Sequence, residues 1–227
     1  MKNLGKIQWV LGALIILISF GANAQDPKRF QKAIDELVTK EYNFDSGKEL
    51  VVFSGSSSIK LWKDVETVYP AYNVINNGFG GSHFSDLIYY YNEVIIKPQP
   101  DILFIYEGDN DVASGKKATD IVKEARQLVK QIKKDLPDTK IILISVKPSV
   151  ARKEFKAEYL KLNRLLEKLA KKTRGVEFAD VWNAMVDQNG DVYTDIFVDD
   201  NLHLNQKGYK IWAEVIGKHL PKSSVGN

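Results

Sequence analysis

Five short, largely apolar runs punctuate the chain, at 50–53, 72–75, 102–106, 141–146 and 176–178, and several of them are continuous. A strand with one wet face alternates apolar and polar residues. Continuous runs rich in Val and Ile belong instead to strands buried on both faces. Between these runs apolar residues recur with helical period. Phe30, Ile34, Leu37 and Val38 share one face. So do Ile121, Val122, Ala125, Leu128, Val129 and Ile132, and likewise Tyr159, Leu162, Leu165, Leu166 and Leu169. A last helix is predicted over 206–220, with Asn205 as its N-cap and Pro221 as its stop. Strand–helix alternation over about five units predicts an α/β fold, with a central parallel sheet covered by helices on both sides. Glycines cluster after the predicted strands, at Gly55, Gly78, Gly80, Gly81 and Gly108. Ordinary strand-to-helix turns use glycine in this way. Open α/β sheets also place their ligand sites at these carboxyl ends.

A chain of 227 residues that is 44% hydrophobic suffices for one core, and no repeat or linker divides it. Its first residues stand apart. Lys2 and Lys6 precede an apolar run over 9–20, which Ala22-Asn23-Ala24 closes. This is the charged, apolar and small-residue order of a secretory signal peptide. The run falls short of the ~20 apolar residues of a comfortable membrane span. The expected organisation is a signal peptide at 1–24 and a single domain at 25–227. Such a protein is periplasmic or secreted, with no stable membrane span after cleavage; an uncleaved anchor is the other reading of the run. Lys+Arg number 32 against 29 Asp+Glu, a net charge of +3, which makes no case for a nucleic-acid partner. The absence of cysteine excludes disulfides, thiolate metal sites, a cysteine nucleophile and a lipoprotein anchor.

Three histidines are available to acid–base chemistry. His219 sits at a Lys-rich helix end, where a cation beside the dipole is reason enough for it. His83 follows a glycine turn, which suits a structural or substrate-lining role. His203 differs: in Asp199-Asp200-Asn201-Leu202-His203, a carboxylate three residues earlier can reach Nδ1 across a turn and leave Nε2 free as a base. The candidate nucleophile lies in Gly55-Ser56-Ser57-Ser58, where a strand ends near helix amides that suit an oxyanion. A Ser-rich capping turn is the plainer reading of those residues alone. The segment is neither a G-x-S-x-G elbow nor a phosphate loop. Acids gather in Tyr106-Glu107-Gly108-Asp109-Asn110-Asp111, and with Asp199 and Asp200 they could form an oxygen-rich cation site. No metal-ligand spacing accompanies them, and Asn189-Gly190 reads as a tight turn, so no metal is expected.

Taken in order, these segments form four blocks: Gly55-Ser56-Ser57, Gly81, Gly108-Asp109-Asn110-Asp111 and Asp200-Asn201-Leu202-His203. The chain resembles the SGNH/GDSL hydrolases over nearly all of 25–227. The resemblance implies a three-layer, flavodoxin-like fold and a metal- and cofactor-independent serine esterase. It implies Ser57 as nucleophile, His203 as general base and Asp200 as its orienter. The oxyanion hole would comprise the N–H groups of Ser57 and Gly81 and the side-chain amide of Asn110. Ser56 stands where the family carries the Asp of G-D-S, a residue outside the triad. The serine register is open to Ser56 or Ser58, and the position two after Gly55 favours Ser57. His83 and Glu107, beside the second and third blocks, are candidate substrate contacts. The expected partner is a small-molecule, carbohydrate or lipid ester. A short-chain or carbohydrate acetyl ester comes first and a lipase or lysophospholipase substrate second. An inactive sugar- or lipid-binding module on the same fold is the remaining class. Oligomeric state is not legible.

Overall fold

In the computed structural model, which describes residues 26–221, the five apolar runs become five parallel strands. They are β1 (Leu50–Gly55), β2 (Asn73–Gly78), β3 (Ile102–Tyr106), β4 (Lys140–Ile144) and β5 (Val176–Ala179). The sheet order is β2-β1-β3-β4-β5. The chain therefore leaves β1 toward one edge and later crosses back to build the other. The reversal between β1 and β3 is where open α/β sheets form crevices. The predicted signal peptide at 1–24 lies outside the described residues. Among the described residues, no helix is long and apolar enough to cross a membrane.

Helices link the strands in the order α1 (Gln31–Val38), α2 (Ser57–Lys60), α3 (Val65–Val68), α4 (Phe84–Tyr89), α5 (Asp109–Ala113), α6 (Ala118–Asp135), α7 (Lys156–Lys171), α8 (Val181–Ala184) and α9 (Gln206–Gly217). Strand side chains alternate between two cores, because successive Cβ atoms point to opposite faces. Leu103 and Ile105 pack with α1, α4, α6 and α7. Ile102, Phe104 and Tyr106 pack with α2, α3 and α9 around Trp62 and Trp212. This two-sided burial explains the continuously apolar runs and gives the expected three layers.

The differences from the sequence reading are local. β1 and β2 run on through Ser54-Gly55 and Asn76-Asn77-Gly78, where polarity ended the predicted strands. Those asparagines are buried because loops satisfy them: Asn76 Nδ2 donates to the Ile59 and Trp62 carbonyls at 2.8 and 3.1 Å, and Asn77 Nδ2 to the Val94 carbonyl at 2.9 Å. Val38, placed on the buried face of its helix, is 41% exposed at the last turn. Asn205 does cap α9, its Oδ1 accepting from Gly208 N–H at 3.1 Å, but the helix ends at Gly217, short of Pro221.

At the carboxyl edge, β1 and β3 approach so closely that only glycine fits. Gly55 has φ +144°, and a Cβ there would lie 2.1 Å from the Tyr106 carbonyl oxygen, which accepts Ser56 N–H at 3.1 Å. Gly81 also has positive φ, +86°, but nothing lies within 4 Å of where its Cβ would stand. Gly55→Ala must move backbone, whereas Gly81→Ala bears only the left-handed strain. The expected costs are more than about 3 kcal/mol for the first and about 1–2 kcal/mol for the second. Urea unfolding of both variants checks this, and equal losses would contradict it.

Candidate active site

Three turns at the carboxyl edge of the sheet bring the candidate residues together. After β1 the chain turns directly into α2, with Ser56 as N-cap and Ser57 as the first helical residue. Of the three adjacent serines, Ser56 and Ser58 are buried and only Ser57 is partly open to solvent. The Ser58 carbonyl is taken by Tyr209 Oη at 2.9 Å. The turn before α9 supplies the other two groups. Asn201 adopts φ +56°, which folds Asp200 back over the turn. Asp200 Oδ1 accepts the N–H groups of Leu202 and His203, each at 2.9 Å. Its Oδ2 lies 2.6 Å from His203 Nδ1, and His203 Nε2 lies 3.0 Å from Ser57 Oγ. Because a carboxylate only accepts, Nδ1 carries the proton and Nε2 is left to accept from the serine hydroxyl. Burial pushes the Asp200 carboxyl up, but the His203 N–H, the His203 ring and the Leu202 N–H outweigh it and bring its pKa down to about 2. Asp200 is therefore an anion throughout the neutral range.

The expected oxyanion donors border this group. Gly80, beside Gly81 in the turn after β2, sits so near Ser57 that a Cβ on it would be 3.6 Å from Ser57 Cβ. The Gly81 N–H makes no hydrogen bond among the described residues. Asn110 lies in the first turn of α5, and both of its amide protons are engaged: Nδ2 donates to Ser56 Oγ at 2.9 Å and to the Ser82 carbonyl at 3.0 Å. Ser57 N–H also points to Ser56 Oγ, at 2.6 Å. Two donors thus converge on one oxygen atom. Asn110 Oδ1 receives Arg152 Nη1 and Nη2, both at 3.2 Å.

The carboxylates of the acidic block are not grouped together. Asp109 and Asp111 each sit with their own cations. Asp109 Oδ1 accepts from Arg152 Nη1 at 2.5 Å and Tyr159 Oη at 2.8 Å; Oδ2 accepts from Tyr106 Oη at 3.2 Å and lies 3.6 Å from Lys147 Nζ. Burial raises the Asp109 pKa, yet Lys147, Arg152 and the Tyr159 hydroxyl bring it below the ordinary value. Asp111, fully buried, meets Lys116 Nζ at 3.2 Å and Phe84 N–H at 3.3 Å. Among the described residues, no three His, Asp or Glu side chains are grouped as metal ligands.

Two candidate substrate contacts are displaced from open space. Glu107 is 1% exposed, with Oε1 on the Ser82 hydroxyl at 2.5 Å and Oε2 without a partner. The reason is the strand: Glu107 directly follows the fully buried Tyr106 and lies inside the edge, beneath the loop that carries Ser82 and Gly81. His83 is 7% exposed and caps α4, its N–H donating to Asp86 Oδ2 at 3.0 Å. His219 pairs with Glu177 on β5, at 2.7 Å, away from these turns. Sequence reasoning missed Arg152, Lys147 and Tyr159. Ala151-Arg152-Lys153 reads as an ordinary basic surface segment, and nothing local marks its contact with Asn110, 42 positions away.

Beside Arg152 opens a cleft of about 250 Å³, with Val150, Trp182, Val186 and Val192 on its walls and Lys153 at its rim. A second depression of about 320 Å³ lies at the amino-terminal edge of the sheet, lined by Glu49, Asp101 and Pro137, remote from these turns.

Residues 54–211 match the family model described as GDSL-like Lipase/Acylhydrolase. Several solved structures share the fold. A Streptococcus pneumonia protein provisionally described as a platelet activating factor superposes with a TM-score of 0.74 at 20% identity, over 86% of this chain and 92% of its own. For a GDSL-like lipase from Bacteroides thetaiotaomicron the values are 0.66, 20%, 86% and 96%. For a variant of an acetyl-xylooligosaccharide esterase from Geobacillus stearothermophilus they are 0.65, 20%, 79% and 97%. At such identities the likeness is one of fold. No curated protein is significantly similar in sequence.

The buried Glu107 generates a pH prediction. Burial, with Asp111 adding to it, holds its carboxyl well above the ordinary 4.5, against the Ser82 hydrogen bond. An acid raised in the folded state contributes stability below the unfolded pKa and loses it as pH rises toward the folded one. Glu107→Gln keeps the shape and the Ser82 contact but cannot ionise. The wild type should therefore lose stability relative to Glu107→Gln between pH 5 and pH 8 in urea titrations. A constant difference across that range would refute a neutral Glu107.

Proposed function

The chain belongs to the GDSL-like lipase/acylhydrolase family, and on that premise we propose that it is an exported serine ester hydrolase working through an acyl-serine. The observation that carries this reading is the relay Asp200 Oδ2–His203 Nδ1 at 2.6 Å and His203 Nε2–Ser57 Oγ at 3.0 Å. Ser57 Oγ attacks the ester carbonyl as its proton passes to Nε2, and Asp200 stabilises the resulting imidazolium. The tetrahedral intermediate collapses by breaking the bond to the alcohol oxygen, which takes the proton back from Nε2. Water then repeats the sequence: it gives a proton to His203, attacks the acyl-serine and releases the carboxylic acid.

The developing oxyanion is received by the N–H groups of Ser57 and Gly81 and by Asn110 Nδ2. Two of these three donors already point at a single oxygen, Ser56 Oγ. In this reading the substrate carbonyl oxygen takes over the contacts that the Ser56 hydroxyl makes in the resting enzyme.

A short acyl group, such as the acetyl of a carbohydrate ester, is the proposed substrate. The small cleft beside Arg152 and the likeness in fold to an acetylxylan esterase support it; that enzyme has catalytic variants at a serine, an aspartate and a histidine. The leader pattern at 1–24 supports work in the periplasm or outside the cell, where such esters occur. The apolar cleft wall of Val150, Val186 and Val192 favours a lipid acyl chain as the second reading.

Ser57→Ala is expected to lower turnover by about 10⁴-fold or more, with His203→Ala nearly as severe and Ser58→Ala close to wild type. Asn110→Ala should lower kcat by about 10²–10³ with little change in KM. Labelling of Ser57 by a fluorophosphonate separates an enzyme from a binding module. Rates on acetyl, butyryl and long-acyl esters decide the acyl length. Full activity of Ser57→Ala would overturn the mechanism.

A further inference from the structure

A side-chain amide presents an oxygen on one side and an NH₂ group on the other, and the two are nearly the same size. Asn110 can serve as an oxyanion donor only if the NH₂ faces Ser57. Arg152 enforces that orientation from the oxygen side, and the Ser82 carbonyl from the NH₂ side. A guanidinium carries donors only, so the Asn110 atom within 3.2 Å of both Nη1 and Nη2 has to be the oxygen. The flipped amide would set NH₂ against guanidinium and carbonyl oxygen against the Ser82 carbonyl oxygen, turning three attractive contacts repulsive.

Arg152 is itself fixed in place. Its Nη1 pairs with Asp109 Oδ1, which also receives the Tyr159 hydroxyl. One residue earlier, Ala151 N–H donates to the Asn201 carbonyl at 3.1 Å. The same segment therefore touches the turn that carries Asp200 and His203 and the amide that donates to Ser56 Oγ. Its fork also polarises the Asn110 amide, since donation to Oδ1 strengthens the N–H on the far side.

We propose that Arg152 is a positioning residue for hydrolysis: it sets and holds the donor face of Asn110 toward the Ser56-Ser57 turn, acting through that amide. The proposal rests on the reading of Asn110 as an oxyanion donor. Lysine cannot replace it fully, because an ammonium can satisfy Asp109 but cannot present two coplanar N–H groups to Oδ1.

The test is a kinetic cycle on the full chain with a neutral acetyl ester. Arg152→Ala and Arg152→Lys are each combined with Asn110→Ala, and the melting temperature of every variant is measured. Arg152→Ala should lower kcat about tenfold or more with KM within about twofold, and Arg152→Lys should fall between it and wild type. In the Asn110→Ala background both substitutions should add little further loss, because the group they position is gone. If Arg152→Ala does not fold, Arg152→Lys, which keeps the charge beside Asp109, carries the same cycle. Wild-type kcat in the Arg152 variants, or the same fold-loss with and without Asn110, overturns the proposal while leaving the oxyanion reading intact. Wild-type kcat in Asn110→Ala alone would remove that reading and this proposal together.

Discussion

Asp109 is only 6% exposed, yet side chains from three separate segments converge on its two oxygens. Tyr106 comes from the end of β3, Lys147 and Arg152 from the segment after β4, and Tyr159 from α7. A carboxylate withdrawn from water is costly unless its charge and lone pairs are answered, and here two cations and two hydroxyls answer it. Lys147 is 1% exposed and its Nζ makes no hydrogen bond among the described residues; Asp109, at 3.6 Å, is its counter-charge. Losing one member would strand the others. The next residue in the chain is Asn110, so the geometry of the network passes directly to the amide beside Ser57.

Such a network makes the carboxyl edge stiff in places where backbone structure alone would not. α2, α5 and the turn before α9 are each too short to be stable as isolated elements. They are fastened by polar contacts to neighbouring turns: Asn76 to the end of α2, Phe84 N–H to Asp111, Asn205 to the Asp195 and Phe197 carbonyls. The sheet supplies the frame, and buried hydrogen bonds set the positions of the groups hung from it.

The architecture was legible because burial on both faces writes itself as continuous apolar runs, and because helix faces at 121–132 and 159–169 repeat with unmistakable period. Asp200 and His203 were suggested by a short local pattern, since their contact spans three residues, whereas Ser57 was picked from its Ser-rich turn only by the resemblance of four blocks in order. The structure then sorts Ser57 from its two neighbours by exposure. What sequence reasoning could not reach were buried polar residues whose partners are distant in the chain. Asn76 and Asn77 interrupt an apolar pattern yet belong to a strand. Glu107 resembles a surface acid and is sealed beneath the Ser82 loop. Arg152 gives no sign of its contact with Asn110. In each case composition signals solvent, and only the fold supplies the partner that makes burial affordable.

The strand order divides the carboxyl edge into two territories. Ser57, Gly81 and Asn110 follow β1, β2 and β3, whereas the walls of the cleft beside Arg152 come from residues after β4 and β5. Asp200 and His203 also follow β5, a few residues beyond the cleft wall at 186–194, and Arg152 links that wall to Asn110. The 186–194 turn therefore borders both the cleft and, through the contacts of Asn205 with the Asp195 and Phe197 carbonyls, the turn before α9, while the loops after β1 and β2 lie in the other half of the sheet.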